Sequence, residues 1–220
     1  MGNAIVLDKR TMVDIWRKEG YTFRQIDSLW MAVEWGLTED QIQVLKNQNL
    51  SGKQMFSLLI ALNHGLTVEQ VSLFAIPTLT AVQMDYIRKY FEAGGNKDTL
   101  QPYLDQPLSN GQVNILCEGL LHGLSEVQIW RCIEKDNGYE KMKALYDGCI
   151  HNCTEEQLQL IEDNRFDKLQ SKAISSGFMQ GLSDEEVKLY ADPKFSSTQM
   201  QAILKCLTMG LSFRCVDLKK

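Results

Sequence analysis

Apolar residues recur along this chain at one-turn helical spacing, in two kinds of short stripe that alternate through the sequence. The longer stripe reads Met55/Leu58/Leu62, then Met84/Ile87/Phe91, Met142/Leu145/Cys149 and Met200/Ile203/Leu207. Positions i, i+3 and i+7 lie on one side of an α-helix, so each set predicts one helix with a buried face. A shorter stripe precedes them: Ile42/Leu45, Val71/Phe74, Ile129/Cys132, Leu158/Ile161 and Val187/Tyr190. Nowhere do apolar and polar residues alternate as a half-buried strand requires. The pattern predicts an all-α chain.

Polar residues at fixed offsets divide the stripes. Thr38/Gln41, Thr67/Gln70, Ser125/Gln128, Thr154/Gln157 and Ser183/Glu186 precede the short stripes. Thr22/Gln25, Ser51/Gln54, Thr80/Gln83, Ser109/Gln112, Asp167/Gln170 and Ser196/Gln199 precede the long ones. A small oxygen-bearing residue followed three positions later by Gln or Glu is a capping box, which satisfies free N–H groups at a helix start. Gly36, Gly65, Gly94, Gly123, Gly181 and Gly210 fall on one 29-residue grid, with Asn152 at the remaining position. Each is expected to close the preceding helix in the left-handed conformation, where a side chain is penalised.

A fixed period of this length marks a repeat architecture. Copies begin at residues 7, 36, 65, 94, 123, 152 and 181, with a half copy from 210, which predicts one domain over residues 1–220. The predicted fold is an α-solenoid, a superhelix of two-helix repeats with a strict 29-residue period. Ala32, Ala61, Gly119, Gly148, Gly177 and Cys206 share one position in the second helix, broken only by Tyr90, and small residues there predict close helix packing. Several copies depart from the pattern. The first lacks the opening glycine and the first cap, as a terminal copy should. Pro102 falls inside the first helix of the fourth copy, which is expected to be short or displaced. Gly138 replaces the second cap of the fifth copy, with Asn137/Glu140 available one residue earlier. The segment LSFRCVDLKK is expected to form a closing helix.

The copies that follow the common pattern best are Gly181–Met200 and Gly65–Met84. That pattern, GLSxEQVxLYAxPxFSxxQMxxIxxGL, resembles the helical repeats of bacterial proteins of unassigned function, some carried on mobile elements. The resemblance implies a helical array and brings no catalytic residues with it.

Composition narrows the function classes. With 44% apolar and 23% charged residues the chain can build a core. A net charge of −5 argues against a nucleic-acid surface, which needs a basic stripe. The six cysteines, all from Cys117 onward, show no repeated spacing, so reduced thiols in a cytoplasmic protein are expected. The N-terminal MGNAIVLDKR has no long apolar run after its charges, and Val6 stands where myristoylation wants Ser or Thr. No stretch approaches the length of a membrane span.

Candidate chemistry resolves mostly into helix ends. His64, His122 and His151 share the position before the capping glycine or its equivalent Asn152, where an imidazole can bond free carbonyls. Cys149, His151 and Cys153 look like metal ligands in line, but both cysteines occupy core positions and a fourth ligand is missing. Glu39/Asp40, Glu155/Glu156 and Asp184/Glu185 lie in first helical turns and favour the dipole there. No phosphate loop, nucleophile elbow or dinucleotide fingerprint is present. The chain is therefore expected to be non-enzymatic, with no catalytic residue, cofactor or metal.

What remains is a surface. Met31 and Trp35, Phe56 and Ile60, and Tyr86 and Tyr90 stand at i, i+4 spacing and are expected near the outer face of the second helices. The later copies carry Lys143/Asp147, Lys172/Ser176 and Gln201/Lys205 there. Trp130 is a further candidate, at a position otherwise polar. Contiguous exposed apolar area marks an interaction site, so these seven residues are the expected contacts for a protein or peptide partner. The alternatives are homo-oligomerisation through the same patch and, less favoured, nucleic-acid binding. Burial of these positions, whether in the core or under the segment Ala4–Leu7, would remove the surface.

Overall fold

A computed structural model of the chain describes residues 8–133 and 138–210, and every regular element among them is helical. The chain divides into two compact units, residues 1–113 and 114–220. The first holds α1 (Lys9–Lys18), α2 (Phe23–Glu34), α3 (Glu39–Leu45), α4 (Gly52–Asn63), α5 (Val68–Phe74), α6 (Ala81–Glu92) and α7 (Lys97–Leu100). A 3₁₀ turn at Gln101–Tyr103 follows, and α8 (Asn110–Leu121) begins in this unit and continues in the second. The second unit adds α9 (Glu126–Ile133), α10 (Tyr139–Ile150), α11 (Glu155–Glu162), α12 (Lys168–Met179), α13 (Asp184–Lys188) and α14 (Ser197–Thr208). None of these helices is long and apolar enough to cross a membrane.

The capping boxes form where the sequence places them, for example at Thr38, Ser51, Thr67, Thr80, Thr154, Asp167, Ser183 and Ser196. One expectation is corrected. The first copy is capped after all, because Asp8 accepts from the Thr11 N–H at 3.1 Å. Another is met at Pro102, where the helix stops after four residues and the chain tightens into the 3₁₀ turn. Helix α10 starts directly after Gly138; Asn137 and the segment 211–220 lie outside the described residues.

The glutamines that open the second helices do more than cap. Gln54 uses its Oε1 to accept from the Ser51 N–H at 2.7 Å, while its Nε2 donates forward to the carbonyls of Pro77 (2.9 Å) and Leu79 (2.6 Å). Gln25 makes the same reach to Gln48 and Leu50, Gln83 to Leu108, and Gln170 to Pro193 and Phe195. All four side chains are buried. A glutamate there would bury a charge and leave two carbonyls without a donor. The fifth copy carries Lys141 at this position, also buried, and its Nζ donates forward to the Asp163 carbonyl at 3.3 Å. The column thus keeps a donor and never holds Glu, whereas the exposed first series accepts Glu186.

Helix ends obey a matching rule. The N–H of Leu66 bonds the Ala61 carbonyl, and Cys153 bonds Gly148 likewise, each spanning a residue of positive φ. Asn152, at φ 57°, is the one non-glycine residue with positive φ among the described residues. The small column lies just before these caps. A Cβ on Gly148 would come within 2.9 Å of Leu158, so α11 rests directly on the α10 backbone. Tyr90 breaks the column by a compensated exchange. Its ring takes the place of the residue after the cap, Leu37, Leu66, Leu124, Cys153 or Leu182 in other copies, and a Cβ on Gly95 would sit 2.4 Å from that ring. The Tyr90 hydroxyl donates to the Asn96 carbonyl at 2.8 Å.

Packing runs between second helices. In the first unit α2 rests on α4 and α4 on α6, with Leu29, Leu58 and Ile87 fully buried between them. In the second, α10 rests on α12 and α12 on α14, with Leu145, Ile174 and Ile203 in the corresponding places.

Candidate binding groove

On the first unit, the side of α2, α4 and α6 turned away from the short helices carries an open groove of about 370 Å³. Helix α2 lines it with Arg24, Asp27, Ser28 and Met31, helix α4 with Gly52, Lys53, Phe56 and Ser57, and helix α6 with Ala81 and Asp85. The helices are tied beneath it. Ser28 Oγ donates to the Gly52 carbonyl at 3.4 Å and Ser57 Oγ to the Ala81 carbonyl at 3.3 Å. Phe56 stands in the middle of the groove, 44% exposed.

The residues expected to form the contact surface divide. Met31 and Phe56 line the groove together, and Ile60 lies half-buried one turn beyond Phe56. Trp35 is exposed but caps the end of α2, in the column of the histidines rather than on this face. Tyr86 is half-buried, and Tyr90 is 2% exposed and belongs to the core, which corrects its assignment to the surface. The cause is geometric. Tyr86 and Tyr90 stand one position later in their helix than Phe56 and Ile60 do in theirs, and one residue turns a helix by about 100°. The true equivalents on α6 are Asp85 and Lys89. Trp130 is half-buried on α9 in the second unit and takes no part in the groove.

Phe23, 71% exposed, was not singled out by periodicity, yet it stands at the edge beside Arg24. The same position holds Gly52, Ala81, Asn110, Lys168 and Ser197 in other copies, and a second exposed aromatic, Tyr139, in the fifth.

Electrostatics sharpen the picture. Among the described residues Arg24, Asp27 and Lys53 form no ion pair, and Asp85 meets Arg88 at 3.7 Å. The same face in the second unit is closed over by its own charges. Lys143 Nζ lies 2.8 Å from Glu118, 3.5 Å from Asp147 and 4.0 Å above the Tyr146 ring. The Tyr146 hydroxyl stands 2.9 Å from His122 Nδ1, and Lys172 pairs with Glu140 at 2.7 Å. Burial raises the Asp147 carboxyl above its ordinary value even with Lys143 alongside.

The other candidates settle into structural roles. His122 and His151 hold their Nδ1 atoms 2.8 Å from the carbonyls of Glu118 and Asp147, in the last turn of their own helices. His64 instead meets the Glu92 carboxylate at 2.8 Å. Burial works to raise the Glu92 carboxyl, but hydrogen bonds from Arg88 and His64 outweigh it and hold it below the ordinary value of 4.5. Burial pushes the Cys117 thiol up to about 12, and the Cys132 thiol is raised by its hydrogen bond to Cys149 and by burial. Thiols held protonated in this way are poor nucleophiles. No group of three His, Cys, Asp or Glu side chains among the described residues could hold a metal ion.

Comparison with protein-family models, with curated proteins and with solved structures gave no match.

Proposed function

We propose that this chain is a non-enzymatic helical-repeat scaffold, an α-solenoid of two-helix units, that binds a protein or peptide on the α2/α4/α6 face. The repeat reading is supported by the recurring forward bonds of Gln25, Gln54, Gln83 and Gln170. The binding reading is carried by one observation: Phe56 is exposed at the centre of an open groove, at a helix position where the second unit carries the ion-paired Lys143 and Lys172. An aromatic side chain left in water has given up the stabilisation that burial supplies, about 1.5–3 kcal/mol for a large apolar group, and a partner recovers it. The test is affinity capture with wild type, Phe56→Asp and, as a control on the other unit, Lys172→Glu. Partners are expected on wild type and Lys172→Glu and lost on Phe56→Asp. Equal retention on all three would sink the reading.

A further inference from the structure

The groove adjoins a second, wider depression of about 850 Å³ at the start of α2 and α4, bordered by Phe23, Gln48 and Asn49. Arg24 and Gly52 line both depressions. The saddle between them is low because position 52 carries no side chain: a Cβ there would fall 2.5 Å from that of Arg24. One track therefore passes from Phe23, over Arg24 and Lys53, to Phe56 and Met31.

Arg24 and Lys53 occupy the same position on adjacent helices, both exposed, and neither finds an acid among the described residues. The second unit carries Glu140, Leu169 and Thr198 at that position, so the basic pair is peculiar to this track. In a chain of net charge −5, the two cations stand side by side along one groove. One turn further along the helices the charge reverses, with Asp27 and Asp85 flanking Phe56 at its own level.

We propose that the track takes an extended peptide segment in which a carboxylate neighbours a large apolar side chain. The carboxylate sits on Arg24 and Lys53, and the apolar side chain sits on Phe56 and Met31. This rests on the binding reading above and names its ligand chemistry. A guanidinium offers a carboxylate two parallel hydrogen bonds, and the ammonium beside it adds a point charge. Asp27 and Asp85 repel an acid placed beside Phe56, so the carboxylate is held to the Arg24 and Lys53 side of the track.

The experiment is selection of a random peptide library displayed on phage against the full chain, followed by affinity measurement on the synthetic consensus peptide. The selected peptides are expected to share Asp or Glu beside Phe, Leu, Ile or Met. Binding should fall about tenfold or more in Arg24→Glu/Lys53→Glu, and a Lys-for-Glu peptide should prefer that double variant to wild type. Thermal melts of the variants control for folding, and both side chains are exposed. Enrichment of Lys or Arg in place of the acid overturns the proposal, as does an acidic consensus indifferent to the double variant. Either result leaves the binding reading intact if Phe56→Ser still abolishes binding. Failure to select any Phe56-dependent peptide removes both. A wild-type dimer by light scattering that Phe56→Glu disperses also overturns the proposal, by assigning the track to a second copy of the chain.

Discussion

The same helical positions face outward in both units, and the two units treat them oppositely. In the second, Lys143 bridges Glu118 and Asp147 while Lys172 holds Glu140, so charges on neighbouring helices satisfy one another. In the first, Phe56 and Met31 floor a groove whose rim charges Arg24, Asp27 and Lys53 have no ion-pair partner among the described residues. Beneath both faces the packing is alike, with Leu58 and Leu145 buried in equivalent places. The core positions follow from stacking, and the outward positions are free of that demand. Chemistry that varies there reflects what each face meets.

The largest expected effects should be the same on both sides of this comparison. Leu58→Ala and Leu145→Ala each remove a fully buried side chain, and each should cost about 2–5 kcal/mol in chemical denaturation. A markedly smaller loss for one would mean that the two cores are not equivalent. Next in size is the exchange confined to the first unit. Gly95→Leu drives a side chain into the Tyr90 ring and should cost about 1–3 kcal/mol as overpacking. Tyr90→Ala alone opens a cavity, and the double variant should recover most of both losses in a mutant cycle; simple additivity would refute the exchange. The smallest effects should separate the faces. Lys143→Ala, which breaks two partly buried ion pairs, should lose about 0.5–1 kcal/mol and lose less at high salt, whereas Phe56→Ser should stay within about 0.5 kcal/mol. A large loss for Phe56→Ser would show that its ring serves the fold.

Much of this was legible in the sequence because caps and stripes are local. The helix starts, the left-handed Asn152 and the break at Pro102 follow from steric and hydrogen-bonding rules acting within a few residues. The errors came from angle and from distance along the chain. Tyr86 and Tyr90 lie one position off the outward columns, and only alignment of each helix from its own cap reveals that they turn inward. Asp8 caps α1 one residue before the expected place. The forward bonds of Gln25, Gln54, Gln83 and Gln170 join residues 23–25 apart, which no local pattern reports, although the absence of Glu from that series was visible. The groove's shape was not legible, because it depends on Gly52 letting α4 approach Arg24.

Those glutamine bonds also impose an order in time. Each amide reaches toward the C-terminus, to carbonyls up to 25 residues ahead of it. During synthesis on a ribosome, a newly emerged helix start is expected to keep an unsatisfied amide until that downstream stretch has followed it out. Each of these helix starts is then locked by the stretch that follows it, and nascent chain released early would expose its last glutamine first.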